Sequence, residues 1–265
     1  MSGLTVPARG AWHAEWTKLR TVPGPGWLLA GLIATTVGIS AAADAATRCP
    51  AAAACPDPAR LTLTGADLGQ VLAAMLAVAI IGGEYSTGMI HLSAAAVPRR
   101  ITLLGAKAAV LTVVVLAAGV AAVLGSLLAG RLILPGHGFT AGHGVAALSL
   151  AAGPVLRATA GSVLYLALIG LLSLGVAAVV RDPAAAAGTV LGLLYLFPIA
   201  AGVVPDPYWR RHLEQAGPMT AGLAIQDTTG LHNLPLSPWA GLGVLAAWAA
   251  GALLAGGLLL WWRDV

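Results

Sequence analysis

The chain has 265 residues, of which 14 are Lys or Arg, 10 are Asp or Glu, and 58% are hydrophobic. A charged fraction of 9%, against about 25% in an ordinary soluble domain, cannot clothe a water-soluble surface of this size, and disordered chains carry the opposite signature of low hydrophobicity and high charge. What remains is an integral membrane protein, and 34 Gly against two Phe and four Tyr suits closely packed helices better than a barrel with aromatic girdles.

Residues 11–20 read Ala-Trp-His-Ala-Glu-Trp-Thr-Lys-Leu-Arg. Trp12, Trp16 and Leu19 fall on one helical face, with Glu15, Lys18 and Arg20 on the rest. This pattern predicts an amphipathic helix over about 8–20, lying in the membrane interface. A helix docked on a partner protein is the alternative.

A helix needs about 20 apolar residues to cross a bilayer core, so the spans follow from gaps between charges. The first is 22–43, with Trp27 near its start. It ends in Ala41-Ala42-Ala43, but the long, tryptophan-containing region before it is unlike a signal peptide, so it reads as a retained span. Cys49 and Cys55, the two cysteines, follow at once. On an oxidising side of the membrane they are candidates for a disulfide.

The second span is 64–83, opened by Thr64 and Asp67 as a capping box. After it comes Glu84-Tyr85-Ser86-Thr87-Gly88-Met89-Ile90-His91, then a short helix-compatible stretch ended by Val97-Pro98-Arg99-Arg100. A helix that docks into a partner and an ordinary loop with arginines are both compatible with this content.

The third span is 107–131, and the glycine-flanked His137 and His143 beyond it read as a mobile glycine loop, with a copper or zinc site from only two ligands as the alternative. The fourth and fifth are 157–181 and 183–205, with Pro198 kinking the latter. Segment 206–236 contains an interfacial helix from Tyr208 to Glu214, and Pro205, Pro207, Pro218 and Pro235 break the segment up. Ser237 and Pro238 suit the N-cap and first turn of a last span, 237–262. Trp248, in its middle, reads as a packing residue. The predicted fold is all-α: a polytopic integral membrane protein with six transmembrane helices and the N-terminal interfacial amphipathic helix, forming a single domain over 1–265.

Six spans put both termini on one side. That side holds eight basic and four acidic residues, and the other holds six of each. The bias favours cytoplasmic termini and a multi-pass protein of the plasma membrane. The basic residues never cluster on a soluble face, so nucleic acid is not an expected partner.

Several chemistries are disfavoured. A P-loop needs Gly-Lys-Ser/Thr, and the two lysines, Lys18 and Lys107, follow Thr17 and Ala106. The six histidines fall in predicted loops or interfacial segments, so an intramembrane Ser–His dyad has no histidine. Every charge falls at a predicted span end, which argues against ion coupling through the bundle. Mid-span hydroxyls, among them Thr36, Ser40, Thr112, Ser162, Tyr165 and Tyr195, are expected chiefly to bond carbonyls of their own helices.

Glu15-Trp16-Thr17-Lys18-Leu19-Arg20, Gly83-Glu84-Tyr85-Ser86-Thr87-Gly88 with Val97-Pro98-Arg99-Arg100, and Ser237-Pro238-Trp239-Ala240-Gly241 leading to Trp262-Arg263-Asp264 resemble segments of actinobacterial ABC-2 type permeases. These fragments, in order across six spans, cover the whole chain. The resemblance implies the membrane subunit of an ABC transporter, an exporter of a lipophilic or amphiphilic compound. It would pair with a second permease subunit, the same or different, and with a cytosolic ATP-binding subunit. Residues Glu84 to His91 would form the coupling helix, Trp12 to Arg20 a second contact, and 206–236 the outer helical elements. The chain itself would hold no cofactor, metal or catalytic residue, since ATP and Mg would sit on the partner. An ion-independent carrier or channel, and a non-transporting membrane anchor or assembly subunit, are the alternatives.

Overall fold

The computed structural model describes residues 16–17, 23–50, 55–86, 100–140 and 148–262, with only the backbone path described for 83–86, 100–102 and 260–262. Its helices are α1 (Pro23–Ala46), α2 (Pro58–Leu63), α3 (Ala66–Ser86), α4 (Arg100–Ile133), α5 (Gly153–Val180), α6 (Pro183–Val203), α7 (Pro207–Ala216), α8 (Pro218–Leu223) and α9 (Pro238–Trp262). No strand occurs among the described residues. Six stretches are long and apolar enough to cross a membrane: Pro23–Ala46, Pro58–Gly82, Leu103–His137, Gly153–Val180, Pro183–Val203 and Pro238–Leu259.

The exterior carries the same message. Leu132, Val203 and Leu254 expose 83%, 75% and 68% of their surface. A monomer in water rarely leaves so much large aliphatic surface uncovered. The chain is thus a multi-pass helical membrane protein by both length and surface. Helices α1, α4 and α6 run toward the end of the bundle that carries Cys49 and Cys55, called here the disulfide end, and α3, α5 and α9 run back.

Helix α5 is the centre, packed against α3, α4, α6 and α9. Its buried residues run on every side, from Val155 to Ala178. Small residues permit this. A Cβ on Gly175 would fall 2.5 Å from the Ala252 carbonyl carbon of α9, so the two backbones touch, as helices do where lipid supplies no hydrophobic drive.

Helix α1 buries a stripe at every fourth position: Leu32, Thr36, Ser40 and Asp44. The facing positions are glycines. A Cβ on Gly65 would lie 1.9 Å from the Thr36 carbonyl oxygen, and one on Gly130 would lie 2.6 Å from Thr62 Oγ1 and 3.1 Å from Asp44 Oδ2.

Four sequence expectations change. The second span begins at Pro58, because Asp57 Oδ1 accepts from the amides of Ala59 (3.0 Å) and Arg60 (3.3 Å) as an N-cap. The Thr64–Asp67 capping box does not form: Thr64 Oγ1 instead donates to the Arg60 carbonyl, 3.0 Å away. Helix α4 starts at Arg100 rather than near 107, which puts Lys107 inside the helix and 2% exposed. A charge at a span end is not thereby held outside the protein interior, since Asp44, in the last turn of α1, is fully buried as well.

Candidate functional site

Two groups of sequence-predicted site residues fall mostly outside what the structure describes. The backbone of Glu84, Tyr85 and Ser86 ends α3 at the pole opposite the disulfide. Thr87, Gly88, Met89, Ile90 and His91 lie outside the described residues. Of the interfacial helix, Trp16 is described, half-buried and helical, while Trp12, Glu15, Lys18, Leu19 and Arg20 lie outside. Cys49 and Cys55 are joined in a disulfide with Cα atoms 5.0 Å apart.

The described site is built by the segment between α6 and α9. Asp206 caps α7 through the Tyr208 amide, 2.8 Å from its Oδ1, with Pro207 in the first turn. Helix α7 then runs along the outside of the bundle, with none of its residues buried. Its last carbonyl, on Ala216, accepts from Trp248 Nε1 at 2.9 Å. Trp248 lies ten residues into α9, about 15 Å along its axis. Its indole meets Phe197 edge-on, so it is an anchor for α7 at the half-exposed rim and not the core residue its position suggests.

The chain reverses at Gly217, where a side chain would strike Phe197 (Cβ at 2.6 Å). Helix α8 climbs back along α9, close enough that a Cβ on Gly241 would fall 2.1 Å from the Ala221 carbonyl oxygen. The 3-10 turn Ala224–Gln226 is buried. Irregular backbone at this depth must be satisfied by protein, and the side chains around it contribute. Gln226 Nε2 donates to Ser162 Oγ (3.2 Å) and to the Leu63 carbonyl (3.4 Å).

The returning strand of chain is tied down at the disulfide end. Arg60 Nη1 lies 2.9 Å from Asp227 Oδ2 and 3.2 Å from the Leu223 carbonyl. Arg157 Nη2 donates to the Asp227 carbonyl. Asp57, besides capping α2, accepts from the Thr228 hydroxyl at 2.6 Å and the Thr229 amide at 2.9 Å. Burial pushes the Asp57 carboxyl up, but the hydroxyl and amide of Thr228 and the amides of Thr229 and Arg60 outweigh it and hold it below the usual carboxylate range. Burial dominates at Asp227, with Arg60 opposing it and Asp57 adding to it, and holds that carboxyl above the usual range.

Between this returning segment and the bundle lies a cavity of about 460 Å³. Arg60, Asp67, Glu214 and Asp227 supply its charges, and Met219, Leu223, Leu234 and Leu236 part of its apolar wall. Beneath it runs a polar chain across three helices. The Asp67 carbonyl accepts from Gln70 Nε2 (2.9 Å) and Tyr195 Oη (3.1 Å). Tyr165 Oη donates to Gln70 Oε1, and Gln70 Nε2 also approaches Met219 Sδ at 3.2 Å. Tyr165 and Gln70 are both fully buried.

The mid-span hydroxyls therefore divide. Thr112, Ser173 and Thr189 bond the carbonyl four residues back on their own helices. Ser40, Ser162, Tyr165 and Tyr195 bond across helices instead. The Asp57-Pro58 and Asp206-Pro207 pairs are local signals of helix starts. No local pattern pairs Arg60 with Asp227 or Gln70 with Tyr165.

Chemically, the arrangement can bind and hold a ligand. No group of three or more His, Cys, Asp or Glu residues placed to hold a metal occurs among the described residues. The chain matches no known family profile and no curated protein.

Proposed function

We propose that the chain is the membrane-spanning permease subunit of an ABC-2 type transporter. In this reading it exports a lipophilic or amphiphilic compound from the cell, its termini are cytoplasmic and it resides in the plasma membrane. A separate ATP-binding subunit drives it, a second permease subunit completes the pathway, and the chain hydrolyses no ATP itself. The observation that carries the reading is the pair of short helices between the fifth and sixth long helices: α7 lies on the outside of the bundle, and α8 with the turn after it folds back into the bundle. The resemblance implies outer helical elements at that place. The Glu84–His91 segment would then couple to the ATPase at the opposite pole, with the amphipathic helix over about 8–20 beside it.

The test uses the complex purified with its ATPase. Glu84→Gln and Tyr85→Ala keep ATP hydrolysis and membrane insertion but lose ATP-dependent transport. Wild-type coupling in both variants refutes the assignment.

A second reading, a secondary carrier, is favoured by one observation. Asp44 is fully buried in α1, and its Oδ2 has no hydrogen-bond partner among the described residues, a placement typical of ion-coupled transport. Transport that persists without ATP and follows an imposed pH gradient would select it.

A further inference from the structure

The cavity at the disulfide end has a charge pattern that its own residues do not balance. Its one basic lining group, Arg60, bonds Asp227 and the Leu223 carbonyl and also acts electrostatically on Asp67, so one guanidinium faces three lining carboxylates, Asp67, Glu214 and Asp227. The Asp67 carboxylate makes no hydrogen bond among the described residues, and its Oδ1 is inaccessible to solvent. The Glu214 carboxylate, half-exposed on α7, has no hydrogen bond or ion pair among them either. An unbalanced carboxylate held out of water is costly unless a positive group meets it. The lining also includes Met219, Leu223, Leu234 and Leu236, which supply apolar surface. The volume, about 460 Å³, lies inside the range of about 300–1,000 Å³ usual for small-molecule sites.

We propose that this cavity binds a monovalent amphiphilic organic cation. The positive centre sits between Asp67 and Glu214, and the apolar body lies against Met219 and the leucines of the returning segment. Methionine suits such a wall, since its thioether adapts to irregular shapes. The inference names a ligand class for this chain alone and requires no ATPase, so it can stand or fall separately from the transporter reading.

The experiment is equilibrium dialysis of radiolabelled tetraphenylphosphonium against the full chain in nanodiscs of neutral lipid, with empty nanodiscs as the blank. Tetraphenylborate and triphenylphosphine oxide serve as the anionic and neutral controls. The result expected is saturable binding of the cation at one site per chain, at least about tenfold tighter than either control, because a desolvated charge contact is worth more than one decade in affinity. Asp67→Asn should weaken it by at least about tenfold. Should Asp67→Asn fail to give monodisperse protein, Glu214→Gln, at the cavity rim, and Leu234→Trp, which fills the cavity from the returning segment, carry the same expectation. No saturable binding, equal binding of the anion or the neutral analogue, or wild-type affinity in the well-folded variants overturns the proposal.

Discussion

The Arg60 guanidinium meets the Asp227 carboxylate at 2.9 Å across 167 positions of sequence, joining the start of the second span to the end of the segment folded back between α6 and α9. Arg60 is 41% exposed at its side chain and Asp227 16%, so screening keeps the pair's own contribution modest. A double-mutant cycle of Arg60→Met and Asp227→Asn, read by thermal unfolding in detergent, should give a coupling of about 1 kcal/mol. A coupling indistinguishable from zero would mean that Arg157 and Asp57 hold the segment without it.

The pH response of this anchor follows from Asp57. Its folded carboxyl titrates below the unfolded value, about 3.9. The folded state therefore favours the charged form. Its contribution is fully present above about pH 4 and is lost as pH falls through the depressed folded value. The stability difference between the protein and Asp57→Asn should stay constant from neutral pH to about pH 5 and shrink below about pH 4. Melting curves of both proteins across that range test it, and a gap that widens on acidification contradicts the assigned sign.

Close packing on α1 predicts a contrast between two glycines. Gly130→Ala drives a methyl into Thr62, whose Cγ2 would be 2.7 Å away, and toward Asp44. The substitution should cost about 1–3 kcal/mol. Gly188→Ala, on α6, meets nothing within 4 Å and should be neutral or stabilise by up to about 1 kcal/mol. Equal melting temperatures for the two variants would remove the claim that α1, α2 and α4 meet backbone to side chain here.

The buried link from Tyr165 to Gln70 should matter more than its single hydroxyl suggests. Tyr165→Phe leaves Gln70 Oε1 in the core without its donor, a loss of about 1–3 kcal/mol. Replacing both, with Gln70→Leu added, should recover part of that loss, because no polar atom is then stranded. A double variant less stable than the sum of the single changes would show that Gln70 has another essential partner in the core.

Hydropathy made the six long helices legible within a few residues, and Asp57-Pro58 and Asp206-Pro207 carried local start signals. The candidate cavity was not legible. Its charges come from α2, α3, α7 and the turn after α8, and nothing local to any of them indicates the others. Trp248 misled for the same reason: an apolar ring mid-span suits core, rim and lipid alike until a partner such as the Ala216 carbonyl is in place.

A membrane helix is specified by the transfer of its own side chains into hydrocarbon, a term each stretch of chain contributes by itself. That is why composition and the spacing of 24 charges were enough for class, helix number and alternating direction. Which charges end up buried, as at Asp44 and Lys107, and whether the chain between α6 and α9 lies on the bundle or enters it, depend on which faces meet. Those contacts join residues on different helices, 18 positions apart at Asp44 and Thr62 and 167 at Arg60 and Asp227, through glycines that let backbones touch and hydrogen bonds that exist only once they do.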